Sequence, residues 1–287
     1  MPSSNAIDQT PSLHVPDVPP KRVPSLVQAA GRATAQYLPA IALLIALIFL
    51  WEFLVRWLDT RPYLLPAPSR IWDAFVDVRD VLPRHVRATM YEAIVGLIIA
   101  AASGAVLAGL IATIPLVRRV LYPIVIASQT IPIIVLAPLL VTWFGFGLAP
   151  KVTVVALAGF FPVVVSTADG LMQADRELIG LVRSMGGGRY QVMRFVLVPS
   201  ALPSFFAGMK IAAAYAMLAA IIGEWVGARE GLGVFITRSQ ASFRTDQIFV
   251  AIAIIALASM ALFAVVTILA RIATPWMYIG GKEDGER

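Results

Sequence analysis

Apolar residues along this chain gather into six long runs, near residues 38 to 55, 91 to 114, 121 to 143, 152 to 170, 206 to 226 and 248 to 270. Crossing roughly 30 Å of hydrocarbon takes about 20 mainly apolar residues in a helix, because each backbone donor and acceptor must be satisfied within the segment. Each run therefore predicts one span, and the chain predicts an all-α membrane protein with six transmembrane helices. Between the first two runs Arg70, Arg79, Arg84 and Arg87 alternate with Asp73, Asp77 and Asp80, which predicts a solvated or interfacial helix. Residues 1–36 are polar, repeat Pro and Ser, and lack an apolar h-region with a small-residue cleavage site. They predict a disordered tail and no removed signal peptide. Residues 276–287 predict a second short tail, leaving 37–275 as the membrane domain.

One polar interruption differs from the rest. From Glu177 to Pro203 the chain reads ELIGLVRSMGGGRYQVMRFVLVPSALP. Leu178, Leu181, Val182 and Met185 fall on one helical face, with Arg176, Glu177, Arg183 and Ser184 elsewhere, which predicts a short amphipathic helix. Gly186, Gly187 and Gly188 stop it, since successive glycines remove helix propensity and allow a sharp turn. Tyr190, Met193 and Leu197 begin a second apolar face, which Pro199 and Pro203 are expected to end. A polar loop of this kind between membrane spans is a handle for a soluble partner, or an interfacial helix lying on the leaflet.

Composition agrees: the chain is 59% hydrophobic and 14% charged, against about 25% charged in an ordinary globular domain. There is no cysteine, so disulfides and thiolate metal sites are excluded, and the two histidines, His14 and His85, are far apart in polar stretches. The net charge of +6 suits loops beside anionic headgroups, and no aromatic-interleaved basic tract points to nucleic acid. Lys/Arg number twelve on one side of the six-span topology and ten on the other, which decides no orientation. No G-x-x-x-x-G-K-[ST] occurs, so the chain does not cradle ATP phosphates by that route, and H-E-x-x-H and G-x-S-x-G are absent too. An enzyme is the poorer reading.

Ionisable and amide groups inside the runs are few, and Glu52, Gln129, Lys210 and Glu224 are the candidates among them. Such groups tend to face a pathway or a partner. Gln129 and Thr130 lie beside Pro132 and Pro138, where missing backbone bonds either expose carbonyls to a pathway or mark a kinked packing helix. Glu224, beside Trp225 at the end of the fifth run, reads either as part of a gate or as a snorkelling carboxylate. Ala100 to Ala105 with Ala108, Ala212 to Ala214, and Ala219 to Ala220 permit close helix contact.

The glycine-broken loop resembles the cytoplasmic loop of permease subunits of binding-protein-dependent ABC importers, whose pattern is E-A-A, three residues, Gly, nine residues, Ile, one residue, Leu-Pro. Gly186 takes the central glycine, Val196 the isoleucine, Val198 the leucine and Pro199 the proline, while Gly180, Leu181 and Val182 replace E-A-A. LLPAPSRIW from Leu64, IPIIVLAPLLVTWFGFG from Ile131, FFPVVVSTADGL from Phe160 and GEWVGAREGLG from Gly223 extend the likeness over nearly all of 37–275. They resemble the branch importing sulfonates, taurine, nitrate, riboflavin and thiamine pyrimidine precursors. GLAPK from Gly147 and RSQASFRTDQIF from Arg238 are most similar to its riboflavin and hydroxymethylpyrimidine members.

The resemblance implies a cell-membrane permease with both termini in the cytoplasm. Its loop over 175–203 would dock on cytoplasmic ATP-binding subunits through Glu177, Gly180, Leu181, Val182, Arg183, Ser184, Gly186, Arg189, Val196 and Pro199. It implies an extracytoplasmic solute-binding protein, a second permease copy forming a homodimer, the lipid bilayer as surroundings, and ATP and Mg held by the ATPase, with no cofactor in this chain. The expected solute is riboflavin or a related heteroaromatic vitamin precursor, with sulfonate, taurine or nitrate as the alternative. Gln129, Thr130 and Glu224 are the candidate pathway residues. A channel or secondary transporter is the rival class, which mid-span acids or an inverted repeat would favour.

Overall fold

The structure is a computed structural model describing residues 26–279, with side chains from 38 to 277. The described residues form helices α1 (Leu26–Trp57), α2 (Pro68–Val78), α3 (Leu82–Thr113), α4 (Pro115–Ser128), α5 (Ile133–Phe144), α6 (Leu148–Met172), α7 (Arg176–Ser184), α8 (Arg189–Val192), α9 (Val198–Trp225), α10 (Leu232–Ala241), α11 (Thr245–Ala273) and α12 (Trp276–Ile279). Five helical stretches among them are long and apolar enough to cross a bilayer: Leu38–Trp57, Leu82–Thr113, Leu148–Met172, Arg189–Trp225 and Thr245–Ala273. The first, as far as Phe53, is a unit of its own, and the chain from Leu54 onward is the other. Residues 1–25 of the first expected tail and 280–287 of the second lie outside the described residues.

The expected third span departs from a straight helix. α4 and α5 meet at 103° across residues 129–132. Pro132 has no N–H with which to continue α4, and it disfavours the helical region for Ile131. The N–H groups of Gln129, Thr130 and Ile131 therefore close tight turns onto the carbonyls of Ile126, Ala127 and Ser128. Pro132, at φ −62° and ψ 122°, then starts α5 in a new direction.

Pro199 and Pro203 do not end the second half of the glycine-broken loop as expected. Arg189–Trp225 is one helical stretch, with a π-helical turn over Met193–Leu197. In that turn the Val198 N–H reaches the Met193 carbonyl, five residues back, so Pro199 lacks its donor where the hydrogen-bond register is already shifting. Pro203 lies inside α9.

α6 packs against both α3 and α9. Gly96, Ala100, Gly104 and Ala108 recur every fourth residue on α3 and are all buried. A Cβ at Gly96 would lie 2.5 Å from Val155 of α6, and one at Gly104 would lie 2.8 Å from Val163, so these glycines set how closely the helices approach. Gly159 of α6 sits between Ala100 of α3 and Ala212 of α9, and Gly208 of α9 faces the Pro162 carbonyl. The small-residue runs thus serve tight packing. α2, expected as a solvated or interfacial helix, turns Ile71, Ala74 and Val78 onto Phe235, Val250 and Ala251 while Trp72 stays exposed. Arg70 reaches Asp246 at 3.8 Å from its exposed face.

Candidate functional site

α7 begins where the Asp175 carboxylate accepts the Glu177 N–H at 2.7 Å, a side-chain cap for a free helical donor. It ends in a Schellman turn: the Gly186 N–H reaches the Arg183 carbonyl at 3.0 Å and the Gly187 N–H reaches that of Val182 at 2.9 Å. Gly186 stands at φ +84°, a conformation that only glycine takes without strain, and a Cβ on Gly187 would strike Val182. Gly188 then opens α8, with its N–H held by Gln191 at 3.0 Å. The expected short helix is therefore present, with each glycine given a task.

No residue of α7 is buried. Leu178, Leu181 and Met185 are exposed, Met185 at 80%, so the apolar face of an amphipathic helix stands uncovered. Glu177, Arg183, Ser184 and Arg189 are exposed around it, and nothing lies within 4 Å of a Cβ at Gly180. Val196 is buried and Pro199 half-buried where the loop joins the bundle. Arg183, Arg189 and Tyr190 also border a cavity of about 830 Å³ against Thr113 and Pro115 at the end of α3.

The opposite ends of α6 and α9 hold a buried polar cluster. On α3, His85, Thr89 and Glu92 are spaced four and three residues apart, which places them on one face, and all three are buried. Thr89 Oγ1 donates to Glu224 Oε1 at 2.5 Å and accepts the Leu232 N–H at 2.8 Å. The Gly233 N–H donates to Glu224 Oε2 at 2.5 Å, and the Gly231 N–H donates to His85 Nδ1 at 3.0 Å. Lys151 of α6 pairs with Glu92, their side chains 14% and 2% exposed. Gly231 stands at φ +129°, and a Cβ there would fall on the Glu224 carboxyl. The cluster joins α3, α6 and α9 and fixes the turn into α10. Glu224, 1% exposed, is thus neither a snorkelling group nor part of the cavity near Gln129.

That second cavity, about 350 Å³, opens at the break between α4 and α5 and is lined by Gln129, Pro132, Phe161, Pro162 and Tyr215, among others. The Thr130 hydroxyl instead turns back onto the Ala127 carbonyl at 2.7 Å.

Residues 104–278 match the family described as "Binding-protein-dependent transport system inner membrane component". The chain belongs to that family. It is 39% identical over 231 residues to the formylaminopyrimidine transport permease protein ThiX of Halalkalibacterium halodurans, covering 80% of this chain and 92% of that one. It is 34% identical over 240 residues to the riboflavin transport system permease protein RibX of Chloroflexus aurantiacus, covering 82% and 88%. The taurine permease TauC of Escherichia coli is 28% identical over 83% of this chain and 89% of its own length. Among solved structures, the MetNI methionine ABC transporter in an inward-facing crystal form gives a TM-score of 0.61 at 21% identity, covering 69% of this chain and 98% of the matched one. That likeness supports the helical fold.

This permease is therefore a membrane component of an ABC importer, in a family whose ATP hydrolysis belongs to a separate subunit. Sequence reasoning named Glu224 but missed His85, Thr89, Glu92 and Lys151, which lie at or beyond the edges of the apolar runs. The spacing of His85, Thr89 and Glu92 along one face of α3 was the available signal.

Proposed function

We propose that this permease imports an uncharged nitrogen heteroaromatic vitamin precursor, of the pyrimidine or flavin class, as half of a homodimer. Its loop over 175–203 is the joint that engages a cytoplasmic ATPase. The uncovered apolar face of α7 carries this reading. A helix of nine residues is marginal alone in water, and here no part of it is buried, so a partner groove is what gives it lasting order. Arg183 and Arg189 add charge that steers a soluble partner. The loop would face the cytoplasm, with both chain ends on that side, and the Glu224 cluster would face the solute-binding protein's compartment. The relatives named for formylaminopyrimidine and riboflavin support the solute class. The taurine relative, at lower identity, supports a sulfonate as the alternative.

Gly186→Val tests the joint. The position is open, with nothing within 4 Å of a Cβ, so the change acts through its positive φ and through what docks there. Copurification should show the ATPase retained by wild type and lost by the variant, with ATP-driven uptake lost in parallel. Retained ATPase and retained uptake would overturn the proposal. Uptake of labelled hydroxymethylpyrimidine, riboflavin and taurine by the complete transporter in proteoliposomes identifies the solute.

A further inference from the structure

The cavity at the α4–α5 break is an open-sided recess in the apolar stretches: Gln129 is exposed at its edge, and Tyr215 and Leu218 are about half exposed. It lies between the middle of α6 and the C-terminal half of α9, and no Lys, Arg, Asp, Glu or His is among the residues that line it. An ionised sulfonate or nitrate would sit there without a counter-charge, at a desolvation cost of several kcal/mol per ion. The lining is nevertheless not plain hydrocarbon. The Gln129 amide, with two donors and an acceptor, makes no hydrogen bond to any described residue, and neither does the Tyr215 hydroxyl. Pro162 has no N–H, so the carbonyl of Ala158, four residues earlier in α6 and also on the wall, has no helical donor. Phe161 and Tyr215 supply aromatic surface beside these groups. A lipid chain would leave the amide, hydroxyl and carbonyl unsatisfied in an apolar medium, which costs free energy at each.

We propose that this cavity is a solute subsite within the pathway, selective for an uncharged single-ring nitrogen heterocycle such as an aminopyrimidine. Ring nitrogens and an exocyclic amine match the mixed donors and acceptors of Gln129 and Tyr215, and a flat ring matches the aromatic wall. A volume of about 350 Å³ is at the small end of ligand pockets, which run to roughly 1,000 Å³, and so favours one ring over a three-ring flavin with its polyol tail. The inference rests on the importer reading and narrows its solute class.

The chain contains no cysteine, which permits a direct test. Ala158→Cys, in the complete transporter in nanodiscs, is exposed to a water-soluble methanethiosulfonate, with and without 4-amino-5-hydroxymethyl-2-methylpyrimidine. Labelling should proceed without the pyrimidine and slow at least tenfold with it. Taurine and riboflavin should give no protection. Adding Gln129→Leu should weaken the protective affinity about tenfold, and Gln129→Asn should recover most of it. No labelling at all, as when a lipid chain or the second copy fills the cavity, overturns the proposal. Protection by taurine, or protection indifferent to Gln129→Leu, overturns it as well. Uptake separates the two claims: ATP-driven pyrimidine import without protection sinks the subsite alone, whereas absence of ATP-driven uptake sinks the importer reading beneath it.

Discussion

Replacing Lys151 by Met should destabilise this permease more than any other single change in the polar cluster. Formally the cluster holds two carboxylates, Glu92 and Glu224, and one ammonium, so Lys151→Met leaves two acids facing each other with no cation. Breaking a buried pair by removing one partner costs about 3–5 kcal/mol. At about 2–4 °C per kcal/mol for a domain of this size, the melting temperature should fall by about 6–20 °C. Glu92→Met leaves Lys151 opposite Glu224, which it already attracts, and the loss should be nearer the ~1–3 kcal/mol of a single broken buried contact. The double variant leaves Glu224 alone with its Thr89 and Gly233 donors and should be more stable than Lys151→Met by itself. Thermal unfolding in nanodiscs, followed by tryptophan fluorescence, completes the cycle. Equal losses for the two single variants, adding in the double, would show that charge balance does not govern this site.

Asp175→Ala removes the cap of α7 at a cost of about 1 kcal/mol, so amide exchange over 177–184 should quicken about fivefold while global melting is unchanged. Gly104→Leu drives a side chain into Val163 and should cost about 1–3 kcal/mol, whereas Gly109→Leu, with nothing within 4 Å of its Cβ, should melt like wild type. Gly231→Ala places a methyl group on the Glu224 carboxyl at a positive φ, so limited trypsin cleavage at Arg229 should accelerate.

The apolar runs placed the spans because hydropathy sums burial in lipid, and that sum is insensitive to direction. The same insensitivity hid the break at Gln129–Pro132, although Pro132 carried the signal. The amphipathic face and glycine stop of the broken loop were legible because both are local devices, whereas the Asp175 cap went unread. Its prolines misled: a π turn absorbs the donor that Pro199 lacks, and Pro203 is carried inside α9 itself. The Glu224 cluster lay furthest from view. Glu92 and Lys151 are 59 residues apart, and Thr89 and Glu224 are 135 apart, so only the packing of α3, α6 and α9 brings them together.

The stretch Arg189–Trp225 carries the π turn yet never breaks, and 37 residues at 1.5 Å each make a rod of about 55 Å. One tip belongs to the arginine-bearing elbow and the other to the carboxylate knot. Pivoted near its foot, such a strut magnifies: a tilt of about 3° sweeps its far tip through roughly 3 Å. That sweep would be as long as any hydrogen bond holding Glu224, so a tilt that left the elbow's own shape unchanged would suffice to part the knot at the other end.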